Sequence, residues 1–261
     1  VPTGLSATSG DTQVALSWTA PTSDGGSPIT DYIVEVYGDG SWSTFSDGAS
    51  TTASATVTGL TNGTEYTFRV SARNSLGDSS PSGNVAETPA TTPGAPTELS
   101  ATGGDGQVEL TWTAPTDNGG SAITGYTVEK NCADSGWSPA TTTSGATSAT
   151  VTSLTNGVSC DFRVSATNSV GTGDPSGTDT VTPAAVPGEP TGLSATSGDG
   201  QVELSWTAPA DNGSSITDYT VTVSPPHGNC TPVVTSCTVV GLNNGTEYTF
   251  TVTATNANGD G

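Results

Sequence analysis

Gly59-Leu60-Thr61-Asn62-Gly63-Thr64-Glu65-Tyr66-Thr67-Phe68-Arg69-Val70-Ser71-Ala72-Arg73-Asn74 is the stretch that decides the fold. From its middle onward, Tyr66, Phe68, Val70 and Ala72 fall on every second position. A period of two over such a run means a strand with one buried face. Thr61-Asn62-Gly63-Thr64, just ahead, is turn chemistry: Asn bonds nearby backbone and Gly accepts positive φ. Further out, Val14, Leu16 and Trp18 alternate in the same way, as do Tyr32, Val34 and Val36. Ser23-Asp24-Gly25-Gly26 and Gly38-Asp39-Gly40 punctuate these runs, and abundant β-branched Thr suits the solvent face of a sheet. No useful length of helical periodicity appears. About seven short strands within one such unit predict a β-sandwich.

The unit is repeated. Pro2-Thr3-Gly4-Leu5-Ser6-Ala7-Thr8 returns as Pro96-Thr97-Glu98-Leu99-Ser100-Ala101-Thr102 and as Pro190-Thr191-Gly192-Leu193-Ser194-Ala195-Thr196, 94 residues apart each time. Trp18, Trp112 and Trp206 keep that offset, and Tyr32, Tyr126 and Tyr219 keep it to within one residue. Leu60 and Leu154 are also 94 apart, but Leu154 and Leu242 are separated by 88, so the third unit is shortened. Tandem self-similarity of this kind marks an array of like modules. The expected domains are 1–92, 93–186 and 187–261.

Composition bounds the function. The 261 residues carry 4 Lys and Arg against 25 Asp and Glu, a net charge of −21 that divides as −7 per module. With only 31% hydrophobic residues, bare composition would suggest disorder; the periodic pattern overrules it. Four cations cannot neutralise a phosphate backbone or an anionic membrane surface, which excludes nucleic acid as an expected partner. No apolar run approaches the ~18 residues of a membrane helix, so no membrane insertion is expected. The chain opens at Val1 with neither Met nor signal peptide, as a mature or excised segment would.

The run Trp18-Thr19-Ala20-Pro21, then Asp24-Gly25-Gly26-Ser27-Pro28-Ile29-Thr30-Asp31-Tyr32-Ile33-Val34-Glu35, then Gly59 to Asn74, closely resembles a fibronectin type III domain. The pattern recurs from Trp112 to Asn168 and from Trp206 to Asn256. The resemblance implies three tandem immunoglobulin-like β-sandwiches of the kind found in secreted and surface proteins, many of them bacterial. It implies core positions for Trp18, Trp112 and Trp206, and a tyrosine corner built by Leu60 and Tyr66, with Leu154, Leu242 and Tyr248 in the matching places.

Two departures from that pattern carry expectations. Cys160 stands where Tyr66 and Tyr248 stand in the other modules. Cys132 is in phase with Tyr126 and Val128, and Cys160 with Phe162 and Val164, so both face inward. In this fold the third strand ends where the sixth begins, and a Cys132–Cys160 disulfide follows; Cys230–Cys237 would clip the shortened third module. Four cysteines allow three pairings, and four buried free thiols are the alternative. Paired cysteines imply an oxidising compartment. The second departure is at the end: the third module stops before the strand matching Asn84 to Thr88, leaving an open edge. Either sequence beyond Gly261 supplies that strand, or another copy donates one, for example its Val1 to Ser9.

Candidate sites are few. No catalytic or cofactor constellation assembles. His227 stands alone in Pro225-Pro226-His227-Gly228, which reads as a loop. Asp24, Asp117 and Asp211 recur before Gly in one turn, and Asp11, Asp105 and Asp199 in another; turn chemistry is the first reading and weak Ca²⁺ binding at Asp24, Asp117 and Asp211 the second. Trp42 and Trp137 are extra aromatics, read as cover for the short fourth strand or as an exposed stacking platform for a glycan or protein. Asn62, Asn212, Asn229 and Asn244 begin N-x-S/T sequons, candidate glycosylation sites.

The expected function is therefore that of a non-enzymatic extracellular structural or adhesive protein, secreted or on the cell surface, whose β-sandwich beads form a rod or fibre. The expected partners are other copies of itself or neighbouring domains of a longer chain. One alternative is a spacer within a secreted carbohydrate-active enzyme; another is a binding module for extracellular glycans or proteins that uses exposed Trp42 and Trp137. The joints Ala90-Thr91-Thr92-Pro93-Gly94-Ala95 and Ala184-Ala185-Val186-Pro187-Gly188-Glu189 are too short and too Pro-bound for free tumbling.

Overall fold

The computed structural model describes residues 1–228 and 230–261. Module 1 contains β1 (Thr3–Gly10), β2 (Gln13–Thr19), β3 (Asp31–Tyr37), β4 (Trp42–Thr44), β5 (Ser54–Thr58), β6 (Tyr66–Asn74), β7 (Gly77–Asp78) and β8 (Val85–Glu87). Module 2 repeats them as β9 (Thr97–Gly104), β10 (Gln107–Thr113), β11 (Gly125–Cys132), β12 (Ser138–Thr143), β13 (Ser148–Val151), β14 (Cys160–Thr167), β15 (Thr172–Pro175) and β16 (Asp179–Val181). Module 3 has β17 (Thr191–Gly198), β18 (Gln201–Thr207), β19 (Asp218–Ser224), β20 (Ser236–Val240), β21 (Thr249–Asn256) and β22 (Gly259–Asp260). Every pairing is antiparallel. In module 1 the order β1-β2-β5 forms one sheet; β4-β3-β6-β7, with β8 also on β6, forms the other. The protein is all-β, and the described residues include no helix.

The alternation read from the sequence becomes the interior of each sandwich. Val14, Leu16 and Trp18 of one sheet meet Tyr32, Val34, Val36, Phe68 and Val70 of the other, each no more than 8% exposed. The Trp18 and Tyr32 rings pack edge to face, 5.2 Å between centroids, and Trp112–Tyr126 and Trp206–Tyr219 repeat the contact at 5.4 Å. All three indole N–H groups are buried without a hydrogen-bond partner. Such a loss costs about 1–3 kcal/mol, and the large apolar area of the ring offsets it. Each module has its own core.

The corner of each module is built differently. In module 1 the Tyr66 hydroxyl accepts the Thr61 N–H at 3.2 Å, and Tyr248 repeats this with Asn243. The Tyr66 ring lies over Gly38, where a Cβ would come within 2.6 Å of it. Module 2 exchanges both partners at once: Gly38 becomes Cys132 and Tyr66 becomes Cys160. These two are directly paired across β11 and β14 with Cα atoms 4.0 Å apart, and they are disulfide-bonded. Cys230 and Cys237 are also bonded, tying the segment beside β19 to β20 of the other sheet; no free cysteine remains.

Module 3 has no counterpart of β8 among the described residues. In modules 1 and 2 that short strand pairs with the start of the sixth strand and packs beside the first. Phe68, Val70, Phe162 and Val164 are accordingly fully buried, whereas Phe250 and Val252 are only half-buried and Leu193 is 39% exposed.

A second repeated device joins the β1–β2 turn to the β5–β6 loop. Asn62 donates through Nδ2 to the Asp11 carboxylate at 2.9 Å and accepts the Thr12 N–H at 2.9 Å. Asn156 with Asp105 and Gly106, and Asn244 with Asp199 and Gly200, repeat it. The turn needs positive φ: Gly106 sits at 61° and Gly200 at 64°, but module 1 places Thr12 there at 54°.

Two outcomes are expected. Thr12→Gly relieves a left-handed β-branched residue and stabilises module 1 by about 0.5–1 kcal/mol, and Gly106→Thr destabilises module 2 by a similar amount, measured by thermal unfolding. Opening Cys132–Cys160, which encloses a 28-residue separation, costs module 2 about 3–4 kcal/mol. The double change Cys132→Gly with Cys160→Tyr, which installs module 1's corner, recovers most of it in the same measurement.

Candidate functional site

The features that recur with geometric precision lie between modules. At the first joint the extended linker runs from β8 into a notch at the head of module 2, formed by the β10–β11 turn and the β14–β15 turn. Gly63 N–H donates to Pro89 O at 2.9 Å, Thr91 N–H to Gly119 O at 2.8 Å, and Gly94 N–H to Asp117 O at 2.9 Å. Asn168 Nδ2 closes the notch by donating to Thr91 O at 2.7 Å and to Asn118 O at 2.9 Å. The backbones are in such close contact that a Cβ on Gly119 would lie 2.2 Å from Thr91 O, one on Gly120 2.3 Å from Gly63 N, and one on Gly173 1.9 Å from Pro93 O.

The second joint repeats this. Gly157 N–H donates to Pro183 O, Ala185 N–H to Asn212 O and Gly188 N–H to Ala210 O, at 2.9, 3.0 and 2.9 Å. Asn256 Nδ2 donates to Ala185 O at 2.8 Å, and Asn212 Nδ2 to Val186 O at 2.8 Å. A Cβ on Gly213 would lie 2.3 Å from Gly157 N, and one on Gly261 2.0 Å from Pro187 O. Neutral groups, backbone amides and carbonyls together with asparagine side chains, make these joints. The ion pairs among the described residues, Glu35–Arg69, Arg73–Asp78 and Glu129–Arg163, each lie within one module.

The second candidate is on the outer face of modules 1 and 2. Glu35 and Arg69 are directly paired across β3 and β6, and their side chains form a two-pronged ion pair at 2.8 and 3.0 Å. The Arg69 guanidinium lies 4.0 Å from the centre of the Trp42 ring. Glu129, Arg163 and Trp137 repeat the stack, with the guanidinium 4.2 Å from the ring centre. Module 3 has Thr222 paired with Thr251 at the same register, so its lack of the Trp goes with loss of the Arg and Glu. The alternative reading of Trp42 and Trp137 as an exposed platform is corrected: both are half-buried, with an arginine over one face.

The remaining sequence candidates fall into structural roles. The Asp24, Asp117 and Asp211 carboxylates accept from Gly26, Gly119 and Gly213 N–H at 2.9, 2.8 and 3.1 Å, closing their own turns. The turn register of Asp24 is that of Asn118, which accepts from Gly120, and not that of Asp117. Among the described residues no group of three or more His, Cys, Asp or Glu gathers as a metal site. Of the sequons, Asn62 and Asn244 use Nδ2 to hold Asp11 of the β1–β2 turn and Asp199 of the β17–β18 turn, and Asn212 uses it in the second joint; a glycan there would replace that bond. Asn229 lies outside the described residues. His227 packs edge to face on Tyr248 at 5.3 Å. Sequence reasoning missed the roles of Asn168, Asn256 and Gly173; the signal for the first two was the recurrence of Asn74 as Asn168 and Asn256 at the end of the sixth strand, whereas the counterpart of Gly173 is serine in module 1 and gave no such signal.

The architecture defines a tandem array of β-sandwich modules with tightly fitted joints. The chain belongs to the fibronectin type III family, whose domain matches residues 1–88, 94–182 and 188–261. It is 33% identical to exoglucanase B of Cellulomonas fimi over 279 aligned residues, which covers all of this chain and 24% of that protein. It is 35% identical to chitinase A1 of Niallia circulans over 178 residues, which covers 65% of this chain and 23% of that protein. The chain thus spans about a quarter of these relatives. Among solved structures, the FN1–FN3 domains of chicken CNTN1 align at 24% identity over 100% of this chain and 94% of that one, with a TM-score of 0.38.

The outer-face stack should be measurable as a coupling. In a double-mutant cycle, Trp137→Ala and Arg163→Ala are expected to show an interaction of about 0.5–1 kcal/mol in the stability of module 2. Additive effects would mean that the ring and guanidinium touch without stabilising each other.

Proposed function

We propose that this chain is a stiff, non-catalytic extracellular rod segment that holds whatever is joined to its two ends at a fixed separation and orientation. The observation that carries this reading is the repeated joint, in which linker carbonyls are held by Asn168 and Asn256 and backbones meet at glycines with no room for a Cβ. Bead-on-string flexibility needs exposed, unbonded linkers; these linkers are bonded at Pro89, Thr91 and Gly94 and at Pro183, Ala185, Val186 and Gly188. The two disulfides support an oxidising location, secreted or at the cell surface. The −7 charge on each module keeps such rods apart laterally. Partners on this reading are neighbouring domains of a longer chain or other copies, and the uncovered edge of β21 is a place where an added strand would pair.

A second reading places the same segment as the spacer of a secreted polysaccharide-degrading enzyme. The names of the exoglucanase and chitinase relatives favour it, and it differs only in what the rod separates. Adhesion through Trp42 and Trp137 is less supported, because one ring face is already covered.

Small-angle scattering of the full chain is expected to give the profile of one extended particle of fixed shape, unchanged between low and high salt. A profile that requires an ensemble of bent forms would overturn the rod reading.

A further inference from the structure

The heads of the three modules are not equivalent, and the difference lies in one side chain. In modules 2 and 3 the linker's proline carbonyl presses on a glycine just beyond the turn after the sixth strand, Gly173 in β15 and Gly261 following β22: Gly173 against Pro93 O and Gly261 against Pro187 O, at 1.9 and 2.0 Å from where a Cβ would stand. Neither glycine lies in the left-handed region, so the backbone itself does not call for Gly. The requirement comes from the carbonyl of the linker, Pro93 O or Pro187 O. At the same register, module 1 has serine. The Ser79 N–H donates to Ala72 O at 2.8 Å just as the Gly261 N–H donates to Ala254 O at 2.9 Å, so the two residues occupy the same place. The Ser79 hydroxyl accepts the Ala72 N–H at 3.0 Å and donates to Ser80 O at 2.8 Å, which fixes the side chain there.

The rest of the module 1 head keeps the notch. Asn74 holds the turn at Asp24 O and Ser27 O as Asn168 and Asn256 hold theirs. A cavity of about 360 Å³ lies where the linker lies in the other two modules, lined by Pro21, Asp24, Gly25, Asn74, Gly77 and Ser79.

We infer that position 79, with its counterparts 173 and 261, determines whether the head of a module accepts the proline-glycine linker of a like module, and that Ser79 makes module 1 refuse it. Glycine heads lock and the serine head does not. A like module joined ahead of Val1 is hinged there, whereas the two internal joints are fixed. This rests on the reading of the internal joints as rigid.

The test is a four-module chain in which residues 1–94 are joined directly ahead of Val1, reproducing the natural spacing of Gly94 to Ala95. Residual dipolar couplings and ¹⁵N relaxation then report whether neighbouring modules share one alignment and one tumbling time. The added module is expected to reorient independently, and Ser79→Gly is expected to bring it to the tumbling time of its neighbour. The reciprocal change, Gly173→Ser in the natural three-module chain, is expected to release module 1 from module 2 while the unfolding midpoint of module 2 stays within a few degrees. An added module that locks equally with Ser79 and with glycine overturns the inference, and so does a Gly173→Ser chain that remains rigid. If modules 1 and 2 already tumble separately in the unaltered chain, the rod reading itself falls, an outcome distinct from either of these.

Discussion

The pairing of the third strand with the sixth is the constraint on which each module depends. Its register, Tyr32 opposite Ala72, Val34 opposite Val70 and Val36 opposite Phe68, puts three pairs of apolar side chains on the inner face. The alternate positions then put Glu35 opposite Arg69 on the outer face, where the ion pair and the Trp42 stack form. At one end of the same ladder lies the corner, Tyr66 over Gly38 or Cys160 bonded to Cys132. At the other end Asn74, Asn168 or Asn256 leaves the strand to hold the head turn. A slip of one residue would reverse the faces and lose all of these together.

That one ladder carries so much follows from how little apolar material is available. With 31% hydrophobic residues, each module buries only a small cluster of large side chains, and small domains bury a small share of their surface. The modules add local ties to compensate: the corner, the Asn–Asp clasp between the β1–β2 turn and the β5–β6 loop and its counterparts, and two disulfides. Among the described residues module 3 has no strand beside the start of β21, and there Phe250 and Val252 are half-buried and Leu193 is exposed, whereas their counterparts in modules 1 and 2 are better covered.

The joints follow another rule. Surfaces that each carry −7 would gain little from charge pairing. Close fit comes instead from backbone groups, which are neutral, obligatory hydrogen-bonding partners, brought together at residues without a Cβ. The same logic explains why glycine in these turns has two separate causes. Gly119 and Gly120 need positive φ as well as space; Gly173 and Gly261 need only space.

Much of this was legible in the sequence. The 94-residue offset fixed the number of modules, the period of two located the strands, and the inward phase of Cys132 and Cys160 placed them within reach of a bond, because each of these is a local or periodic property of the chain. The clasp made by Asn62, Asn156 and Asn244 was half visible: its asparagines recur, but they read as turn residues or sequons until the aspartate 51 residues away, or 45 in module 3, is brought beside them. The covered faces of Trp42 and Trp137 were not visible, because the arginines that cover them come from a strand some 27 residues later in sequence. Nor was the significance of Ser79 against Gly173 and Gly261. A glycine in a turn looks alike in sequence whether its own φ requires it or a neighbouring carbonyl does, and only the tertiary packing of one module on the next tells the two apart.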